Sequence, residues 1–161
     1  FNALCEIAQR AEIANKTGVG DVIAQAVGGI VIRQQNVVDR IPTPPLEVSY
    51  VVFGPLSTPE ILADRDTLAV TNKFGSAALQ RLMQRPTLDE FMRLSRQFAC
   101  DSELISPKAR DAVEAVEASG GLASMAMLGD AVYAIDPANA LSEFGAVRKT
   151  TICNWGAHLV F

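Results

Sequence analysis

The chain reads as an α+β protein: a mostly antiparallel sheet with helices packed on one face. Three observations predict this. Stretches with apolar residues at helical spacing recur along the chain, while β-rich runs are few and short. Two pairs of those runs lie close enough in sequence to form hairpins. The length, 161 residues, is enough to bury one sizeable core. Helices interleaved with few strands suit a split β-α-β arrangement.

The elements follow in order. Residues 1–16, FNALCEIAQRAEIANK, put Leu4, Ile7, Ala8 and Ala11 on one face of a helix, expected to be buried. Gly18 and Gly20 interrupt it, Asp21 opens a second helix through Val27, and Gly28-Gly29 end that helix. GIVIR (29–33) reads as a buried strand. QQNVVDRIPTPP reads as a connector, because Pro42, Pro44 and Pro45 stop regular structure. LEVSYVVF (46–53) is a strand bounded by prolines and by Gly54-Pro55. STPEIL restarts a helix, with Thr58 as N-cap and Pro59 in the first helical position.

A helix over about 67–84 carries Val70, Phe74, Ala77 and Ala78 on one side. Thr87-x-x-Glu90 is a capping box opening a helix to about 99, with Phe91, Leu94 and Phe98 inward. Ser106-Pro107 opens another to about 118, with Ala109, Ala112, Val113 and Val116 inward, and Ser119-Gly120-Gly121 end it. GLASMAML and AVYAI form a strand pair turned at Gly129-Asp130, and a short helix near 137–143 follows. RKTTIC and GAHLVF form two further strands around Asn154-Trp155-Gly156.

Composition narrows the function. Fourteen Lys and Arg against eighteen Asp and Glu leave a formal charge of −4, which excludes the basic field of a non-specific nucleic-acid binder. No apolar run reaches the roughly 18–20 residues of a membrane span, and no secretory signal pattern opens the chain. Cys5, Cys100 and Cys153 are scattered, with no C-x-x-C. That suits a reducing, cytoplasmic setting and buried structural thiols. His158 is the one histidine, so a zinc set of Cys and His is lacking. The chain starts at Phe1, inside a helical pattern, and is therefore expected to be part of a longer product.

Three stretches can carry chemistry. In AEIANKTGVGDVIAQAVGG, Thr17, Gly18 and Gly20 lead the backbone to Asp21 at a helix start. Asp21 either caps that helix or takes a proton from a substrate hydroxyl, beside N–H groups suited to phosphate oxygens. Glu12 is either a solvated partner of Lys16 or a carboxylate holding Mg²⁺, which needs only one or two protein carboxylates. In SGGLASMAMLGD, Gly120, Gly121 and Ser124 either let the backbone approach an anion or form a helix C-cap running into a buried strand. Finally, Arg33, Arg40, Arg148 and Lys149 are candidates to hold a substrate carboxylate.

Taken together, these blocks resemble the GHMP kinase superfamily, and within it the archaeal pantoate kinases. RAEIANKTGVGDVIAQAVGGIVIR (10–33), GPLSTPEIL (54–62) with PTLDEFMRLSRQFA (86–99), and ASMAMLGDAVYAI (123–135) carry the resemblance. It implies a ferredoxin-like C-terminal domain over 43–161 and a remnant of an N-terminal domain over 1–42. It further implies an enzyme that uses ATP and Mg²⁺ to phosphorylate the hydroxyl of pantoate, in coenzyme A biosynthesis. Asp21 falls on the catalytic aspartate and Glu12 on the glutamate that helps hold Mg²⁺. Residues 120–124 fall on a glycine-rich turn near the phosphates, although GGLAS is poorer in glycine than the usual form.

The superfamily's ATP-cradling turn, of the P-x-x-x-G-x-x-S-S type, matches no segment of this chain, so the 161 residues alone are expected to be inactive. A related kinase for mevalonate or homoserine, and a non-catalytic α+β binding module, are the alternatives. The expected partner is a small hydroxy acid, with no nucleic acid or membrane. Apolar surface left on the first helix makes a homodimer a further expectation.

Overall fold

The computed structural model describes residues 2–15, 17, 20–34, 37–56, 61 and 63–158. The chain divides into two compact units, one of residues 1–45 with 152–161 and one of residues 46–151. The expected Thr58 cap, Pro59 and Lys16 fall outside the described residues. Among the described residues no helix is long and apolar enough to cross a membrane.

The first unit holds α1 (Asn2–Asn15), α2 (Gly20–Val27), β1 (Ile30–Gln34) and β2 (Val37–Ile41). β2 corrects the expected connector. The prolines restrict only residues from Ile41 onward, while Val37, Val38 and Ile41 supply the β-branched side chains a strand favours. β2 pairs antiparallel with β1, from Ile30 opposite Ile41 to Gln34 opposite Val37. The apolar face expected to be buried on α1 is instead open. Leu4 is 57% exposed, Ile7 63% and Ile13 64%, while Ala8 is half-buried, so apolar surface is left on the first helix.

Of the two strands expected near the end of the sequence, RKTTIC forms over Arg148–Thr151, while residues 153–157, which take in the start of GAHLVF, depart from the expectation. They are not a strand; they lie across the C-terminal end of α2. The Gly29 N–H donates to Cys153 O (2.7 Å) and the Ala157 N–H to Gln25 O (2.7 Å). The second bond satisfies a carbonyl that a helix end otherwise leaves unpaired. Residues 159–161 of GAHLVF lie outside the described residues. Two glycines permit the approach. A Cβ on Gly28 (φ +74°) would lie 2.6 Å from the Trp155 carbonyl carbon, and one on Gly156 would overlap Ala26 O.

The second unit contains β3 (Glu47–Gly54), α3 (Arg65–Gln84), α4 (Leu88–Asp101), α5 (Pro107–Ala118), β4 (Leu122–Met125), β5 (Asp130–Ile135), a 3₁₀ turn (Ala140–Glu143) and β6 (Arg148–Thr151). Its sheet runs β4-β5-β3-β6, and each neighbouring pair is antiparallel. Among the described residues α3, α4 and α5 lie in the chain between β3 and β4, and β5 fills the gap between those strands. This is the split β-α-β order expected from the sequence.

Caps set the helix starts. Asp64 takes the Asp66 N–H (3.1 Å) and the Thr67 hydroxyl (2.5 Å) at the head of α3. The Thr67 bond, then the Asp66 amide, hold its carboxyl below the usual carboxylate pKa. Thr87 Oγ1 accepts from the Glu90 N–H (3.3 Å). The expected capping box is only half formed, because the Glu90 carboxylate pairs with Arg93 and the Thr87 N–H bonds Arg85 O. Ser106 Oγ caps α5 through the Ala109 N–H (3.1 Å) and donates to Asp130 Oδ1 (2.7 Å).

The core lies between α5 and one face of the sheet. Ala109, Ala112, Val113 and Val116, all buried as expected, meet Ala123, Met125, Val132, Ala134 and Leu141. The cross-strand pairs Ala123–Ala134 and Met125–Val132 share that face, so Ser124 and Tyr133, also opposite each other, share the other face.

Candidate functional site

Glu12 and Asp21 both belong to the first unit. The chain leaving α1 folds back on the last turn of that helix. The Thr17 N–H donates to Glu12 O (3.1 Å) and the Thr17 hydroxyl to Glu12 Oε2 (2.6 Å). Asn15 Nδ2 bonds Ala11 O (2.8 Å). These contacts answer the orphan carbonyls of the helix end, and they also fix the Glu12 carboxylate. Glu12 is half-buried and Thr17 exposed.

Asp21 stands in the first turn of α2 and is exposed. A carboxylate there complements the partial positive charge of the helix start. Before it, Gly20 has nothing within 4 Å of where a Cβ would lie, so the helix start is sterically open. Gly18 lies outside the described residues.

Among the described residues no group of three or more His, Cys, Asp or Glu side chains is placed to hold a metal. The Glu12–Thr17 pair still fits magnesium chemistry. It offers hard oxygen donors from one carboxylate and one hydroxyl, and Mg²⁺ takes its remaining ligands from phosphate and water.

Gly120, Gly121 and Ser124 belong to the second unit, where the geometry gives each a packing explanation. Gly120 adopts φ +80° just after α5, the left-handed C-terminal position that favours glycine. A Cβ on Gly121 would lie 2.6 Å from both Ile135 O and Val116 Cγ1. Ser124 is fully buried, and its hydroxyl lacks a partner of good hydrogen-bond geometry. It does lie close enough to the Tyr133 phenol to act on it. Burial raises the Tyr133 pKa, opposed in part by the Ser95 and Ser124 hydroxyls. No local pattern signals this polar group, since Ser95 and Tyr133 meet only through tertiary packing.

The basic candidates separate. Arg40 Nη1 donates to Asn154 O (2.9 Å), and Asn154 Nδ2 donates to Thr43 O (2.9 Å). Open cavities of about 530 and 500 Å³ border Arg40 and Asn154, the first of them also lined by Trp155. Lys149 is paired with Glu47 (2.8 Å). Arg148 lines a hollow of about 250 Å³ with Tyr50, Val52 and Ala146. Arg33 is exposed on β1.

The cysteines correct an expectation. None is buried: Cys5 and Cys100 are half-buried, Cys153 is exposed, and all three are free. Cys153 is open because its segment runs over the surface of the α2 end. His158 is likewise exposed outside any strand, with Nδ1 3.0 Å from Gly156 O.

Comparison with known proteins gives the following. No known family profile matches the chain. A pantoate kinase of Methanocaldococcus jannaschii is 34% identical over 155 residues, 92% of this chain and 57% of the relative. A pantoate kinase of Methanospirillum hungatei is 35% identical over 166 residues, 96% of this chain and 54% of the relative. A pantoate kinase of Thermococcus kodakarensis is 33% identical over 137 residues, 81% of this chain and 45% of the relative. The chain thus spans about half the length of the curated relatives it matches. A solved structure described as a phosphotransferase related to the CoA biosynthesis pathway shares its fold. The TM-score is 0.80 over 94% of this chain and 55% of that one, at 24% identity.

Proposed function

We propose that this chain, homologous over most of its own length to the pantoate kinases, is part of a GHMP-type kinase that uses ATP to phosphorylate the hydroxyl of pantoate. The observation that carries the reading is 34% identity to a pantoate kinase across 92% of the chain. On this reading the first unit belongs to the N-terminal domain of the kinase and the second is its C-terminal domain.

The site residues then take these roles. Asp21 orients the substrate hydroxyl and accepts its proton as the hydroxyl oxygen bonds to the γ-phosphorus and ADP departs. Its exposure in the first turn of α2 leaves the carboxylate accessible to a substrate. Neighbouring N–H groups at that helix start, next to the open Gly20, suit phosphate oxygens. Glu12, steadied by the Thr17 hydroxyl, holds Mg²⁺ together with the phosphates. Bound there, magnesium supplies neutralisation of phosphate charge. Phosphoryl transfer depends chiefly on such positioning and charge stabilisation.

The test is Asp21→Asn in the complete kinase. The variant keeps the size of the side chain and removes its basicity. It is expected to fold normally and to lose at least about 100-fold in kcat, the scale of a general base. Nearly intact turnover would refute the role of Asp21. Preferred phosphorylation of mevalonate or homoserine over pantoate would refute the substrate.

A further inference from the structure

The segment Cys153–Ala157 is joined to α2 and its surroundings by more bonds than a passing loop needs. Gly29 N–H donates to Cys153 O, and Ala157 N–H donates to Gln25 O. Asn154 ties the same segment to β2 and to the residues just beyond it, accepting from Arg40 and donating to Thr43. Gly28 and Gly156 leave no room for side chains between the segment and the helix end. Gly28 is itself buried. Trp155, between these anchors, points outward and is 81% exposed, so hydrogen bonds and backbone packing hold the segment rather than side-chain burial.

α2 is eight residues long and has no buried residue. A helix so short and so little buried gains little orientation from its own packing. In a regular helix the Gln25 N–H bonds the Asp21 carbonyl. The Gln25 carbonyl in turn takes the Ala157 N–H. One line of backbone hydrogen bonds therefore runs from the strap to the residue proposed as the base.

We infer that the 153–157 strap is a positioning element for Asp21, with Asn154 and Gly156 as positioning residues that set the direction of α2 through its C-terminal end. This rests on the reading of Asp21 as the base. Phosphoryl transfer is sensitive to displacements of about 1 Å in such a group, so a strap that shifts should slow the chemical step more than it weakens binding.

The experiment is a double-variant cycle in the complete kinase, with residual rates followed by radiolabelled ATP. Gly156→Ala and Asn154→Ala are each expected to lower kcat about tenfold. The KM for pantoate and for ATP should stay within about twofold. Asn154→Asp keeps the shape and, like Asn154→Ala, the backbone carbonyl bonded by Arg40. It sets a carboxylate oxygen against the Thr43 carbonyl in place of the donor, and is expected to lose at least as much kcat as Asn154→Ala. In the Asp21→Asn background, Asn154→Ala should lower the remaining rate less than twofold, because the group it positions is gone. A full tenfold loss in that background would overturn the inference while leaving Asp21 as the base. So would a rise in KM with kcat unchanged. If Gly156→Ala prevents folding, Asn154→Ala carries the test alone. If Asp21→Asn retains full activity, the catalytic reading itself has failed, and the inference falls with it.

Discussion

The adjacent glycines Gly120 and Gly121 should fail on substitution for two different reasons, and the difference can be measured. Gly120 has a left-handed backbone (φ +80°) and open space around its would-be Cβ. Alanine there meets no neighbour but must hold an unfavourable conformation, at a cost of about 1–2 kcal/mol. Reduced freedom of the unfolded chain offsets roughly half of that, leaving about 1 kcal/mol. Gly121 is limited by volume. Its Cβ would sit 2.6 Å from the carbonyl oxygen of Ile135 and from Val116 Cγ1, where atoms ordinarily stand about 3.5–4 Å apart.

Neither neighbour yields easily. Ile135 is paired with Leu122 across the sheet, and Val116 is fully buried. Relief requires a shift of about 1 Å in the α5–β4 junction, an overpacking cost of about 2 kcal/mol. At this chain length that is roughly 4–8 °C in Tm, against roughly 2–4 °C for Gly120→Ala. Asparagine tolerates left-handed backbone, so Gly120→Asn should recover part of the loss, whereas Gly121→Asn should be worse than Gly121→Ala. The assay is thermal and urea unfolding followed by far-ultraviolet circular dichroism, without nucleotide. If Gly121→Ala leaves Tm within about 1 °C of the parent, the close packing is not what requires glycine. Lost ATP affinity at unchanged stability would then support a phosphate-binding turn.

Three further outcomes are expected. Ser106→Ala removes both the α5 cap and the bond to Asp130 and should cost about 2 kcal/mol in urea unfolding; a loss under 0.5 kcal/mol would contradict it, the scale of an ordinary surface change. Tyr133 has a raised pKa through burial, so its stabilising share is complete below the unfolded phenol value of about 10. Above that pH the unfolded chain releases the proton while the folded one keeps it, and stability declines until the folded pKa is passed. Tyr133→Phe should therefore flatten the alkaline limb of the stability curve, and an unchanged slope above pH 10 would refute this assignment. Glu12→Gln in the complete kinase should raise the Mg²⁺ concentration for half-maximal rate about tenfold; an unaltered requirement would remove Glu12 from the metal site.

What was legible in the sequence was what neighbours in the chain decide. Thr87 and Ser106-Pro107 marked helix starts because a cap acts over three residues. The spacing of Ala109, Ala112, Val113 and Val116 gave the core face of α5, since that face meets one flat sheet surface. The order of helices and strands was enough for the split β-α-β sheet. β2 escaped because three prolines next to it outweighed a short β-branched run, although their restriction reaches back only to Ile41.

The strap escaped for a deeper reason. Arg40 and Asn154 are 114 residues apart, and Asn154 and Thr43 are 111 apart. No local pattern encodes which distant carbonyl a side chain will meet. The exposure of Leu4 and Ile7 belongs to the same class, because an apolar stripe states a preference for burial and not what will cover it. In the candidate site, Asp21 at a helix start was readable from its glycine turn, while the bond from Thr17 to Glu12 was visible only in three dimensions.

The second unit leaves the first along β3 and returns along β6, and Glu47 lies directly opposite Thr151. It is built as an insertion whose two ends meet. This sets an order of events during synthesis. α2 is made early, yet the strap that closes it follows the whole inserted unit off the ribosome. Until then the cap at Gln25 is missing, and the first unit stays unfinished however well its own helices form. Slow closure of the inserted sheet, whose central pairing of β3 with β5 spans α3, α4 and α5, would therefore delay the first unit as well. Maturation of the proposed catalytic helix is thereby tied to completion of a separate fold.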